Sequence, residues 1–329
     1  MNAHRPVHRV AIVGTGTIGA SWATHYLVRG FDVTATDPAP TAETALRSYV
    51  EAAWDAAASI GLAAGASLDR LGFTADLRQA VADADLVQEN APERPELKVK
   101  LFADIDDASP PDAIIASSSS GITMSVIQAE CRRPERTVIG HPFNPPHIVP
   151  LVEVVGGTRT APETIQDVMT FYASIGKKPI RLRKELPGHV ANRIQAALYR
   201  EVVYLVQEGV LDVADSDDAV SWGPGLRWGV MGPHLLWHLG GGEGGIQHFM
   251  ETLMPRMVAS WQDLGTPEFT PELAKTIVDG VLEEANGHSV AELAARRDAM
   301  LAALLAVRAG HDASGPTNAT AEPEAREGP

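Results

Sequence analysis

Four polar residues stand where apolar runs end: Ser120 after AIIASSS, His141 after TVIG, Glu153 inside PLVEVV, and Asn192 just beyond Pro187. In an open parallel sheet, ligands bind outside the carboxyl ends of the strands. Ser120 and His141 follow runs of the right length to emerge there. Glu153 is flanked by Leu151, Val152, Val154 and Val155, so its carboxylate is expected to be buried. A buried carboxylate needs a partner or it shifts its pKa. His141 is a natural one: the acid fixes one imidazole nitrogen and the other exchanges a proton. That pair suits a reaction in which a hydroxyl loses its proton as its carbon loses hydride. Residue types alone also admit a structural histidine and a glutamate bonded only to backbone.

The elements that position such a set begin near the N-terminus. Residues 9–13 form a short apolar run, Gly14-Thr15-Gly16-Thr17-Ile18-Gly19 turns, a helical stretch runs to Val28, and FDVTATD alternates to Asp37. A GxGxxG between strand and helix, with an acid at the end of the next strand, is a dinucleotide fingerprint. Gly14 permits the turn, Gly16 lets a pyrophosphate approach, and Gly19 lets the helix pack closely. Thr17 and Ile18 open the helix whose free N–H groups face the anion. Asp37, 18 residues after Gly19, accepts from ribose hydroxyls and repels a 2′-phosphate, so the expected cofactor is NAD. The glycines could instead serve only a turn, with Asp37 capping the loop before Pro38. FAD uses a similar fingerprint, but no further flavin-contacting segments are found.

Two helices are expected over 41–70, broken near Gly61 to Gly65. Further strands are expected at 83–89, 113–120, 137–143, 149–157 and 178–184, with helices at 95–107 and 162–175. After Pro187 an amphipathic helix spans 188–210, and helices continue to about 310. The expected fold is α/β: an N-terminal Rossmann-like, doubly wound, mostly parallel sheet over 1–186, then an all-α domain over 187–310. Residues 311–329 have little to bury and are expected to be disordered.

The 329 residues are 45% hydrophobic with a formal net charge of −15. No basic face offers itself to nucleic acid or to an anionic membrane. The single cysteine, Cys131, excludes an intramolecular disulfide and any multi-cysteine metal site. His147, His234, His238 and His248 fit no metal spacing, so no metal is expected. The first ten residues run straight into a strand and no apolar run is long enough to span a membrane. The expected location is cytoplasmic.

The segments LVQENAPERPELKVKLF, ASSSSGI, GHPFNPPHIVPLVEVV and PGHVANR, in that order, resemble the 3-hydroxyacyl-CoA dehydrogenase family over about residues 8–305. The resemblance implies that His141 is the general base and Glu153 its acidic partner. It implies that Ser120 bonds the substrate oxygen, that Asn192 helps, and that Glu93 and Lys98 lie near the nicotinamide ribose. His189 stands where much of the family carries Phe. SWGPGLRWGVMGP and WHLGGGEGGIQHFM resemble the branch that holds the L-carnitine and L-gulonate dehydrogenases, which act on small polar 3-hydroxy acids without CoA. Trp222, Trp228 and Trp237 lie close together in sequence with Glu243 nearby. Aromatic faces and a carboxylate suit a trimethylammonium group, and Arg227 suits a carboxylate. Packing between helices or across a dimer explains the tryptophans equally well. The expected substrate is L-carnitine-like. The alternatives are L-gulonate, a short 3-hydroxyacyl thioester, a bulkier ketone, or a non-catalytic NAD-binding role. A homodimer is expected, because the helical part has more apolar face than a bundle of its size needs.

Overall fold

The computed structural model describes residues 6–314. In chain order the elements are β1 (Arg9–Val13), α1 (Thr17–Val28), β2 (Asp32–Thr36), α2 (Ala42–Ser59), β3 (Leu71–Phe73), α3 (Leu77–Val81), β4 (Leu86–Glu89), α4 (Pro95–Ala108), β5 (Ile114–Ser117), α5 (Met124–Ile127), β6 (Thr137–Pro142), β7 (Leu151–Val155), α6 (Pro162–Ser174) and β8 (Lys178–Arg181). Helices α7 (Ala191–Gln207), α8 (Val213–Ser221), α9 (Pro224–Trp228), α10 (Pro233–Gly240), α11 (Gly245–Thr252), α12 (Met254–Ser260), α13 (Pro271–Glu284) and α14 (Val290–Ser314) follow.

The strands make one eight-stranded sheet in the order β3-β2-β1-β4-β5-β6-β7-β8. Every neighbouring pair is parallel except β6 and β7. Alternate residues of each strand feed opposite faces. Val10 and Ile12 of β1 join Trp22, Tyr26 and Leu27 of α1 and Tyr172 of α6 in one core. Ala11 and Val13 join Phe102 and Ile105 of α4 and Met124 of α5 in the other. With both faces covered, the central strands β1, β5 and β7 read as nearly continuous apolar runs.

The second helix expected within 41–70 does not form. After α2 the chain turns through Gly61 and Gly65, makes one turn of 3-10 helix at Leu68–Arg70, and enters β3 on the sheet edge. Arg70 spends its charge on Asp32 of the neighbouring strand, at 2.7 Å. The final helix runs to Ser314, four residues into the segment expected to be disordered; residues 315–329 of that segment lie outside the described residues.

The helical part buries little of its own apolar surface. Trp222 is 75% exposed and Phe269 70%, and Leu235, Leu239 and Leu282 are exposed as well. Among the described residues no helix is long and apolar enough to cross a membrane.

Three histidines are buried with their pKa values pushed down. Burial is the main cause in each; Lys177 and Arg29 add to it at His25, and Lys177 at His147, which is lowered to about 4. At His189 burial is joined by the neighbouring His141. These rings are neutral when folded and titrate at ordinary values when unfolded. Stability from this source is therefore full above the unfolded value of about 6.5 and is lost as pH falls from there toward the folded values. Each group contributes a slope of up to about 1.4 kcal/mol per pH unit in that window. The urea midpoint is expected to fall steadily between pH 7 and pH 5. A flat midpoint over that range would contradict the burial of neutral rings.

Candidate active site

The glycine turn joins β1 to α1. Gly14 has φ +87°, and a Cβ there would sit 2.8 Å from the Asn90 carbonyl carbon. A Cβ on Gly19 would sit 1.9 Å from the Gly14 carbonyl oxygen. A Cβ on Gly16 would meet nothing within 4 Å. So Gly14 and Gly19 are required by the protein's own packing, while the space above Gly16 is open. Gly16 caps α1 without a side-chain bond, and the first turn of α1 holds no acid. An anion therefore fits there, on the free N–H groups of Thr17 and Ile18. Asp37 follows β2. Its Oδ2 accepts from the Thr15 N–H at 2.9 Å and its Oδ1 from the Ala39 N–H at 3.0 Å. Each carboxylate oxygen has a further lone pair for a ribose hydroxyl.

His141 lies on β6 directly opposite Glu153 on β7. Residues opposed in an antiparallel pair share a face with Cβ atoms about 5 Å apart. The reversal of β7 therefore brings together two residues that are 12 apart in sequence, and His141 Nδ1 meets Glu153 Oε2 at 2.8 Å. The other carboxylate oxygen accepts from the Val190 and Ala191 N–H groups, at 2.8 and 3.0 Å, at the start of α7. Burial pushes the Glu153 pKa up, but the bonds from His141, Ala191 and Val190 outweigh it and hold the carboxyl below its usual value. Because the ionised acid accepts only, His141 carries its proton on Nδ1 and offers the Nε2 lone pair.

A cavity of about 380 Å³ opens beside His141, lined among others by Ser118, Ser120, Asn144, Asn192 and Gln195, with Ile18 from the glycine turn. It thus holds His141, Ser120 and Asn192 together, with Glu153 directly behind the imidazole. Ser118, Asn144 and Gln195 are hydroxyl and amide groups that sequence reasoning did not single out. The run of four serines could not be told apart by type. Gln88 was also missed. It is fully buried, accepts from Tyr172 Oη at 2.7 Å and Tyr26 Oη at 3.3 Å, and donates to Ser118 Oγ at 2.9 Å. A polar residue inside the apolar LVQE run was the available signal.

Glu93 and Lys98 lie beside each other, with the Lys98 ammonium 3.8 Å from Glu93 Oε2. Lys98 is 1% exposed, and its ammonium lies 2.8 Å from Oε1 of the fully buried Glu89. Its charge is paired inside the protein. Glu93 accepts from Ser119 Oγ at 2.5 Å and from the Gly121 and Ile122 N–H groups at 2.7 and 3.0 Å. Burial raises its pKa, but those bonds and nearby Lys98 more than reverse the effect. Glu93 thereby fixes the loop that carries Ser120.

Trp222, Arg227, Trp228 and Glu243 do not line the cavity. They sit on short helical pieces joined by turns, and Trp222 and Trp228 point outward. Trp237 stacks on Phe249 at 4.9 Å. His147 is buried, bonded to Ser21 Oγ at 2.8 Å.

A glycine-turn dinucleotide site beside an acid-supported imidazole defines a nicotinamide-type oxidoreductase. The model of the 3-hydroxyacyl-CoA dehydrogenase NAD binding domain matches residues 9–186, and that of the family's C-terminal domain matches 188–288. The chain is 50% identical over 296 residues to an L-carnitine dehydrogenase of Streptomyces griseus, covering 90% of this chain and 88% of that protein. It is 48% identical over 299 residues to an L-carnitine dehydrogenase of Bacillus cereus, covering 91% and 92%. A solved structure of 5-formyl-3-hydroxy-2-methylpyridine 4-carboxylic acid 5-dehydrogenase superposes with a TM-score of 0.77 at 33% identity, over 93% of this chain and 99% of that one. The chain belongs to the 3-hydroxyacyl-CoA dehydrogenase family and is an NAD-dependent dehydrogenase of 3-hydroxy acids.

Proposed function

We propose that this enzyme oxidises the C3 hydroxyl of L-carnitine, with His141 as the base. The observation that carries the reading is the His141–Glu153 pair at the wall of a small cavity rich in hydroxyl and amide groups. Such a lining suits a compact, polar hydroxy acid better than a long acyl chain. The identity near 50% to L-carnitine dehydrogenases over nine-tenths of the chain selects the substrate.

NAD, when bound at the Gly14–Gly19 turn and Asp37, supplies the hydride acceptor. Ser120 and Asn192 hold the substrate oxygen. His141 Nε2 takes the hydroxyl proton as the carbon gives up its hydride. Glu153 steadies the imidazolium that forms, and the N–H groups of α7 keep Glu153 ionised. In the reverse direction the imidazolium returns the proton to the forming alkoxide.

Asp37→Ala is expected to raise the KM for NAD about 10- to 100-fold, the loss of a charged hydrogen-bond acceptor, with kcat at saturating NAD little changed. An unaltered KM would remove Asp37 from the ribose site.

The exposed apolar residues of the helical part support a homodimer, with Trp222 and its neighbours as subunit surface rather than substrate contacts. Sedimentation at micromolar concentration is expected to give the dimer mass; a monomer would refute it. The requirement for NAD is consistent with a cytoplasmic location.

The substrate is tested by NAD reduction at 340 nm with L-carnitine, D-carnitine, L-gulonate and 3-hydroxybutyryl-CoA in parallel. Turnover is expected with L-carnitine well above the rest. Preference for the thioester or for L-gulonate would overturn the substrate assignment and leave the dehydrogenase intact.

A further inference from the structure

The segment between β8 and α7 runs past Ser120, Glu153 and His141. The Gly188 N–H donates to the Ser120 carbonyl at 3.0 Å. The Val190 and Ala191 N–H groups hold Glu153. Asn192, next in line, reaches the cavity. In the middle stands His189, which is 1% exposed.

His189 keeps two unfavourable features. Its φ is +48°, in the left-handed region, although it carries a side chain. Its Nδ1 is buried with no hydrogen-bond partner. Features of this kind persist where the surroundings gain from them, and they cluster at functional sites. The ring makes two contacts that explain the cost. Nε2 lies 2.8 Å from the Ser119 carbonyl oxygen, and the ring centroid lies 4.9 Å from that of His141, tilted by 46°. A carbonyl only accepts, so Nε2 carries the proton and Nδ1 is a bare lone pair. Burial and the adjacent His141 push the His189 pKa down. The ring is thus a neutral spacer between the loop that carries Ser120 and the face of the imidazole.

We infer that His189 is a positioning residue: it ties the Ser119–Ser120 loop to His141 and so sets the distance between the oxygen-holding hydroxyl and the base. A purely apolar ring would fill the same volume and stack on His141, but it would leave the Ser119 carbonyl without its donor. The inference rests on the proposed role of His141.

His189→Phe keeps the ring and removes the donor. His189→Gln removes the ring and keeps a donor where Nε2 stood. With NAD and the best substrate of the panel, His189→Phe is expected to lower kcat about 10- to 100-fold, the scale of a small misplacement of reacting groups. The KM for NAD is expected to stay unchanged, and His189→Gln to recover most of kcat. A wild-type kcat in His189→Phe, or equal losses in both variants, would reduce His189 to packing. Nuclear magnetic resonance needs no substrate. The Ser120 amide signal is expected to move in His189→Phe and to return in His189→Gln, and the His189 ring to stay the Nε2–H tautomer from pH 6 to 9. An unmoved Ser120 signal, or an Nδ1–H tautomer, would overturn the clamp. Wild-type enzyme that turns over nothing would overturn the proposed reaction instead, and the resonance data would still decide the clamp.

Discussion

His141→Ala is expected to lose about 10²- to 10⁴-fold in kcat, the usual worth of general acid–base help, while NAD still binds. The separation of effects follows from the layout. The glycine turn and Asp37 sit at the ends of β1 and β2, whereas His141 sits on β6 and makes no bond to them. Glu153→Ala is expected to lose turnover too, and also melting temperature, because its carboxylate holds the first N–H groups of α7. His141→Ala leaves those bonds in place. Turnover near wild type in His141→Ala, with NAD binding intact, would remove this residue from the chemistry.

Lys98→Met is expected to destabilise the fold by about 3–5 kcal/mol, the cost of leaving a buried charge without its partner. Glu89 is fully buried and also accepts from Ser117 Oγ at 2.5 Å and from the Ala91 N–H at 2.6 Å. Without the ammonium, those neutral donors alone must support a carboxylate in the interior. The melting temperature should fall by on the order of 10 °C, and Glu89→Gln in the same chain should recover part of it. The KM for NAD should change little. A normal melting temperature with a raised KM for NAD would return Lys98 to the cofactor site.

These two residues mark how far the sequence could be read. The glycine fingerprint was legible because its parts are local: one strand, one turn and one helix hold all of it. The need of a buried Glu153 for a partner was legible from the apolar residues around it. The geometry that meets the need was not. It depends on β7 running against β6, and nothing in LVEVV fixes a strand's direction. The Lys98 pair lies nine positions apart across a turn, with Glu89 at the very end of β4. Burial at that depth is set by α4 covering the sheet. The LGF strand was missed because three residues carry too little pattern to outweigh a helical neighbourhood. The place of the tryptophan run was not legible either. It falls on several short helices joined by turns, whose mutual packing local pattern does not set, and the single chain leaves Trp222 facing outward. His189 stands out by residue type alone, but its link to the Ser119 carbonyl spans 70 positions.

The measurement that bears most directly on the central claim is product stoichiometry with L-carnitine and NAD, run on wild-type enzyme and on His141→Ala side by side. The account predicts equal amounts of NADH and of the 3-oxo acid from the wild type, and neither from the variant within the same interval. A wild-type enzyme that yields no 3-oxo acid from L-carnitine, or a variant that keeps pace with it, would contradict the account.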